Sequence, residues 1–283
     1  MAFCRTAAAV LGVFALAIPS AAHADPELQK FLEETLVAAR DKNKLPAVAA
    51  LVQIDGKIEA EAALGVRALG HPEPATTKDR WHIGSDTKAF TATLIARLVE
   101  KKVLRFDDTL AASFPSFAKA IDPGYRTVTI AQLLSHTAGL PALTDEKDLA
   151  DYLAASARAK GVRAQRSALA RHYLKRPPAS KVGEFAYSNV GYIIAGAIAE
   201  ARTGKAWEDL IRVEIFAPLG IVDAGFGPPG EPGRIDQPRG HRDRDGALTP
   251  LEPNDPNADN PASLGPAGTI NITLRDWLLF AQD

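Results

Sequence analysis

Cysteine is all but absent from this 283-residue chain, and the single copy, Cys4, stands near the start of an N-terminal stretch unlike the rest. From residue 25 onward there is no thiol, which excludes disulfides, cysteine nucleophiles and cysteine-ligated metals. Stability must then come from a hydrophobic core, for which the length is ample. An excess of one charge is equally lacking: 33 Lys+Arg stand against 34 Asp+Glu, without a long block of either sign. Such a balance offers no electrostatic footprint for nucleic acid or an anionic membrane. The six histidines are scattered, none in a paired metal-binding spacing, and no cofactor motif is present.

Long hydrophobic runs are missing too. The apolar stretch Ala7 to Ile18 is closed by Pro19, short of the roughly 20 residues that span a bilayer. With Arg5 before it and Ala22-His23-Ala24 after it, it reads as a secretory signal peptide over residues 1–24. Cys4 is not at the cleavage point, where a lipid-modified cysteine would sit. Residues 25–283 are then the mature domain, periplasmic or secreted, with no transmembrane anchor after cleavage.

What is present begins with a helix expected from Pro26 to Arg40. Two apolar runs follow, Ala47–Ile54 and Ile58–Leu64, around Asp55-Gly56-Lys57. Asp-Gly between such runs signals a hairpin, and an isolated hairpin is marginal in water, so a larger sheet is expected. From Ser85 to Ile221 the chain reads mainly helical. Thr129-Ile130-Ala131-Gln132 is a capping box whose helix runs through Leu133-Leu134, with Gly139 and Pro141 as its stops. Asn189 to Ala201 is apolar on nearly every face, a buried helix ended at Gly204. Trp207 to Phe216 suggests another helix before Pro218. Between Gly227 and Pro266, 40 residues hold nine of the 20 prolines, the texture of a long irregular loop. Thr269 to Asp283 turns helical again.

Chemistry is concentrated at Ser85-Asp86-Thr87-Lys88. In a helix beginning at Ser85 the hydroxyl and amine, three residues apart, are neighbours. The positive helix N-terminus and partial burial both favour a neutral amine there, one able to take the serine proton. Ser116-Phe117-Ala118-Lys119 repeats the spacing between Pro115 and Asp122-Pro123-Gly124, with no long helix to hold it, so Ser116 reads as a surface serine. Tyr187-Ser188-Asn189 is the one Tyr-x-Asn in the chain, at the mouth of the buried helix. A Ser-His-Asp arrangement would need His82 or His136 as base, and the chain has no Gly-x-Ser-x-Gly elbow.

In order, Trp81-His82-Ile83-Gly84-Ser85-Asp86-Thr87-Lys88-Ala89-Phe90, Leu133-Leu134-Ser135-His136-Thr137-Ala138-Gly139-Leu140-Pro141, Phe185-Ala186-Tyr187-Ser188-Asn189-Val190-Gly191-Tyr192 and Pro218-Leu219-Gly220-Ile221 resemble the serine beta-lactamase-related family. That family includes class C beta-lactamases, D-alanyl-D-alanine carboxypeptidases, D-aminopeptidases and related esterases. The resemblance implies an α+β fold of the beta-lactamase/transpeptidase type, an antiparallel sheet flanked by helices with an inserted all-helical region. It implies that Ser85 forms an acyl-enzyme, Lys88 activates it, Tyr187 relays a proton to the leaving group and assists the deacylating water, and Asn189 binds the lysine and the substrate amide. His136 is implied to be structural.

The substrate it implies is a small-molecule or peptidoglycan-type acyl compound, whether beta-lactam, D-alanyl peptide or ester; no cofactor is called for. Family members carry a third motif on a strand beyond the region matching Pro266-Ala267-Gly268, which also supplies one of two oxyanion-hole donors. The sequence ends at Asp283 without it, so the domain reads as C-terminally incomplete, lacking that strand. The alternative to an active hydrolase is then an inactive or binding-only relative. Losing one such donor costs about 100- to 1,000-fold in rate.

Overall fold

The structure, a computed structural model, describes residues 25–283, so the signal peptide expected over residues 1–24 lies outside the described residues. Asp25 caps helix α1 (Pro26–Asn43), its carboxylate accepting from Glu27 N–H at 2.9 Å. Strands β1 (Ala47–Ile54) and β2 (Lys57–Gly65) pair antiparallel with Ile54 opposite Lys57. Asp55 and Gly56 both have positive φ, 49° and 80°, as the two-residue I′ turn requires. Leu32 and Leu36 of α1 bury Ala60 and Ala62 of β2 in a small core of their own. The larger sheet expected around this hairpin is not found among the described residues, where β1 and β2 pair only with each other. One face is covered by α1 instead, which meets the need for a hydrophobic partner.

Strand β3 (Trp81–His82) runs into a 3₁₀ turn, Gly84–Asp86, and then α2 (Thr87–Glu100). The helix therefore starts two residues later than expected. Gly84 has φ +52°, which breaks helical continuity just before the serine. The short α3 (Leu110–Ser113) and the capping-box helix α4 (Ile130–Leu134) follow. The latter runs through Leu133 and Leu134 as expected, and the chain leaves helical geometry at His136, φ +59°, ahead of Gly139. Helices α5 (Glu146–Ser156) and α6 (Val162–Leu174) lead to α7 (Asn189–Thr203), which is buried along Val190–Glu200 and closed by Gly204 at φ +74°. After it, α8 (Trp207–Ile211) passes through a π turn, Arg212–Phe216, into α9 (Ala217–Leu219), so the helical path continues through Pro218 rather than stopping before it.

The remainder holds β4 (Ala224–Phe226), a hairpin of β5 (His241–Arg244) and β6 (Ala247–Pro250), the single turn α10 (Gly265–Gly268), β7 (Ile270–Ile272) and α11 (Leu274–Ala281). Two expectations change here. The segment from Gly227 to Pro266 is not wholly irregular, since Asp245-Gly246 (φ 55° and 82°) turns β5 into β6. The segment from Thr269 begins as a strand, with β7 lying between β3 and β4 in an antiparallel sheet. One main core joins α2, α6, α7, α8 and this sheet, with Phe90, Leu94, Ile193, Ile194 and Trp207 at most 1% exposed. Helix and antiparallel sheet together form the α+β, beta-lactamase/transpeptidase-like architecture. No helix among the described residues is long and apolar enough to cross a membrane.

Candidate active site

Strand β7 grips the Ser85 turn from both sides. Ile83 N–H donates to Ile270 O at 3.0 Å, and Ile270 N–H donates to Thr87 Oγ1 at 3.0 Å. Ser85 is held between them with its side chain exposed to solvent. In a 3₁₀ turn residues i and i+3 eclipse, so the pairing expected of an α-helix survives the change of geometry. Lys88 Nζ lies 3.1 Å from Ser85 Oγ.

Lys88 is 6% exposed, and its amine also donates to Asn189 Oδ1 at 2.8 Å and to Ala267 O at 2.6 Å. Burial holds its pKa below the ordinary lysine range, against the opposing pull of Tyr187 and Asp86. Tyr187 OH sits 2.5 Å from Ser85 Oγ on the other side and 3.4 Å from Asn189 Oδ1. The Asn189 side chain is oriented by both ends: its oxygen takes the lysine, and its Nδ2 donates to Leu143 O at 3.1 Å. Ser85, Lys88, Tyr187 and Asn189, drawn from segments a hundred residues apart in sequence, thus meet in one hydrogen-bonded cluster.

His136 supports that cluster from behind. Its Nδ1 accepts Ser188 N–H at 3.0 Å, and its ring lies 4.7 Å from that of Tyr187. Ser188 is the N-cap of α7, accepting Gly191 N–H at 3.1 Å. Burial, and then the charge of Lys88, lower the His136 pKa, which suits a ring that must accept at Nδ1. With that nitrogen committed, His136 is no base for Ser85. Neither is His82, whose Nδ1 accepts Gly84 N–H at 3.2 Å and whose Nε2 faces Asp259 at 2.9 Å. Ser116 is exposed and lines a separate cleft of about 560 Å³ whose walls carry no lysine or tyrosine.

Sequence reasoning missed the carbonyl side of the site. Ala267 O is presented by α10, which packs so closely on α7 that a Cβ on Gly196 would stand 2.4 Å from Pro266 Cγ. The same strip is tied down by Thr91 Oγ1 donating to Pro266 O at 2.7 Å, with the Trp207 indole donating to Thr91 at 3.1 Å. Backbone acceptors leave no residue-type signature, although Pro266-Ala267-Gly268 marks the place. Beside Asn189 a cavity of about 370 Å³ opens between Leu143, Thr144, Leu149, Asn260 and Leu264.

A family profile described as Beta-lactamase matches residues 32–283. Penicillin-binding protein 4 of Amycolatopsis lactamdurans is 34% identical over 251 residues, covering 88% of this chain and 62% of that protein. Lovastatin esterase of Penicillium rubens is 26% identical over 260 residues, covering 86% of this chain and 62% of the esterase. Among solved structures, the octameric penicillin-binding protein homologue from Pyrococcus abyssi superposes with a TM-score of 0.70 at 27% identity, covering 89% of this chain and 55% of its own. This chain therefore spans 62% of the length of those two sequence relatives. Matched over all but its first 31 residues, and carrying the motifs in order, the chain belongs to the beta-lactamase family of serine-dependent proteins.

Proposed function

We propose that the protein is an exported serine hydrolase that transfers an acyl group to water through Ser85. The observation that carries this reading is the double contact on one oxygen: Ser85 Oγ meets Lys88 Nζ at 3.1 Å and Tyr187 OH at 2.5 Å. A neutral Lys88 accepts the serine proton as Oγ attacks the carbonyl, forming the acyl–oxygen bond. Tyr187 passes a proton to the departing group and, on the return, helps water attack the ester. Asn189 keeps the amine aimed at Oγ and offers an amide to the substrate. The Ser85 backbone N–H supplies one donor to the developing oxyanion.

The acyl substrate is a beta-lactam, an amide of the D-alanyl peptide kind, or an ester. Similarity to a penicillin-binding protein and to an esterase supports a carbonyl compound of this range. Export to the periplasm or beyond is supported by the leader pattern in residues 1–24 alone. Turnover of nitrocefin and of p-nitrophenyl acetate by the purified protein tests the reading. Hydrolysis of either that disappears in Ser85→Ala is expected; binding without any turnover of either compound contradicts it and leaves a binding-only relative.

A further inference from the structure

Asp259 lies in the proline-rich segment, far in sequence from the Ser85 turn, yet its side chain is 6% exposed and 2.9 Å from His82 Nε2. Its other oxygen, Oδ2, has no partner among the described residues. A buried carboxylate so incompletely paired is costly, and its bonds from His82 and from Asn260 N–H at 2.6 Å are what hold it. The histidine in turn accepts Gly84 N–H at Nδ1, 3.2 Å away. A carboxylate only accepts and a backbone N–H only donates, so one state of the ring satisfies both: neutral, with the proton on Nε2. Asp259 fixes that tautomer, and the tautomer holds the amide immediately before Ser85.

Gly84 gains from being held. It takes φ +52°, a conformation glycine visits freely and therefore leaves freely. Asn260, the next residue on the loop, donates its Nδ2 to Gly268 O at 3.3 Å, steadying the turn whose Ala267 O receives Lys88. Two adjacent loop residues thus support the serine side and the lysine side of one site.

We infer that Asp259 and His82 are a positioning pair, setting the Ser85 turn through the Gly84 amide without touching the reacting atoms. The inference rests on Ser85 being the nucleophile. Asparagine at position 82 places an acceptor where Nδ1 stands but does not reach Asp259; glutamine reaches towards Asp259 but offers Gly84 no acceptor. The His82 side chain is 29% exposed, so the fold accommodates both amides.

The test is the rate of covalent labelling by a fluorescent penicillin or a fluorophosphonate, with thermal unfolding of each variant as control. His82→Asn is expected to label within about threefold of wild type. His82→Gln should fall on the order of 10- to 100-fold, the scale on which misplacing a reacting group acts. Asp259→Ala should be slow with His82 present, yet cause no further loss when combined with His82→Asn, a non-additivity that marks action through the histidine. Equal rates in His82→Asn and His82→Gln, or an equal loss from Asp259→Ala in both backgrounds, overturn the inference. Undiminished labelling of Ser85→Ala would instead overturn the nucleophile assignment, so the two failures are separate.

Discussion

The Lys88 amine stands 2.6 Å from the backbone oxygen of Ala267, a contact that fixes what the amine can do. Among the described residues Nζ lies within hydrogen-bonding distance of Ala267 O, Asn189 Oδ1 and Ser85 Oγ. A carbonyl and an amide oxygen only accept, so a neutral amine spends its two protons on them. Its lone pair is left for the serine hydroxyl, and the charged and neutral forms occupy the same pocket without rearrangement.

The acylation rate should therefore climb with pH as Lys88 loses its proton. Burial lowers its pKa below the ordinary lysine range, so the half-maximal point should fall below that of free lysine. Single-turnover acylation across the alkaline range measures this. Lys88→Arg keeps the charge but cannot deprotonate, and should lose about 100- to 10,000-fold together with the pH dependence.

Asn189→Asp is a sharper probe of the same amine than its removal. The new carboxylate places a negative charge where Oδ1 sits 2.8 Å from Nζ, and presents an acceptor to Leu143 O, which needs a donor. The alkaline limb of the acylation profile should move to higher pH, the sign expected when the charged lysine is favoured. An unmoved limb would show that Lys88 is not the titrating group.

Gly196→Ala tests the packing that presents Ala267 O. The added methyl would collide with Pro266 at 2.4 Å, and both atoms belong to rigid elements. Overpacking of this kind costs about 1–3 kcal/mol. Acylation should slow alongside the fall in thermal stability, because the displaced strip carries the lysine's acceptor.

Arg166 is fully buried between α6, α7 and α8, bonded to Glu200 at 2.6 Å, to Glu208, and to the carbonyls of Ala262 and Ser263. Arg166→Met should destabilise by about 3–5 kcal/mol, since it leaves the nearly buried Glu200 carboxylate without its cation. Urea unfolding reads the loss; a change under 1 kcal/mol would show that the cluster is dispensable.

Much of this was readable in the sequence where local chemistry dictates geometry. Asp55-Gly56 gave the first hairpin, Thr129 and Gln132 the capping box, and the unbroken apolar face of Val190–Ile198 the central helix. Asp245-Gly246 carries the same turn signal as Asp55-Gly56, but it stands among prolines and charged residues rather than between apolar runs, so the pattern around it does not single out the hairpin that the fold makes there. Strand β7 is three residues long, too short for any periodicity, and exists because β3 and β4 pair with it. The path through Pro218 depends on a π turn just before it, which re-routes the backbone ladder that proline cannot join.

At the site, Ser85, Lys88, Tyr187 and Asn189 announced themselves by side chain. Ala267 could not, because its contribution is a carbonyl that every residue has. His82 and Asp259 were invisible as a pair, since only the fold brings positions so far apart within 2.9 Å.

If Ser85 Oγ is the atom that becomes covalently modified, intact-protein and peptide mass spectrometry after incubation with a penicillin or a serine-directed phosphonate will locate the adduct there. One adduct is predicted, on the peptide containing Ser85, absent in Ser85→Ala and retained in Ser116→Ala. An adduct that persists in Ser85→Ala, or that maps to Ser116, would rule Ser85 out as the nucleophile.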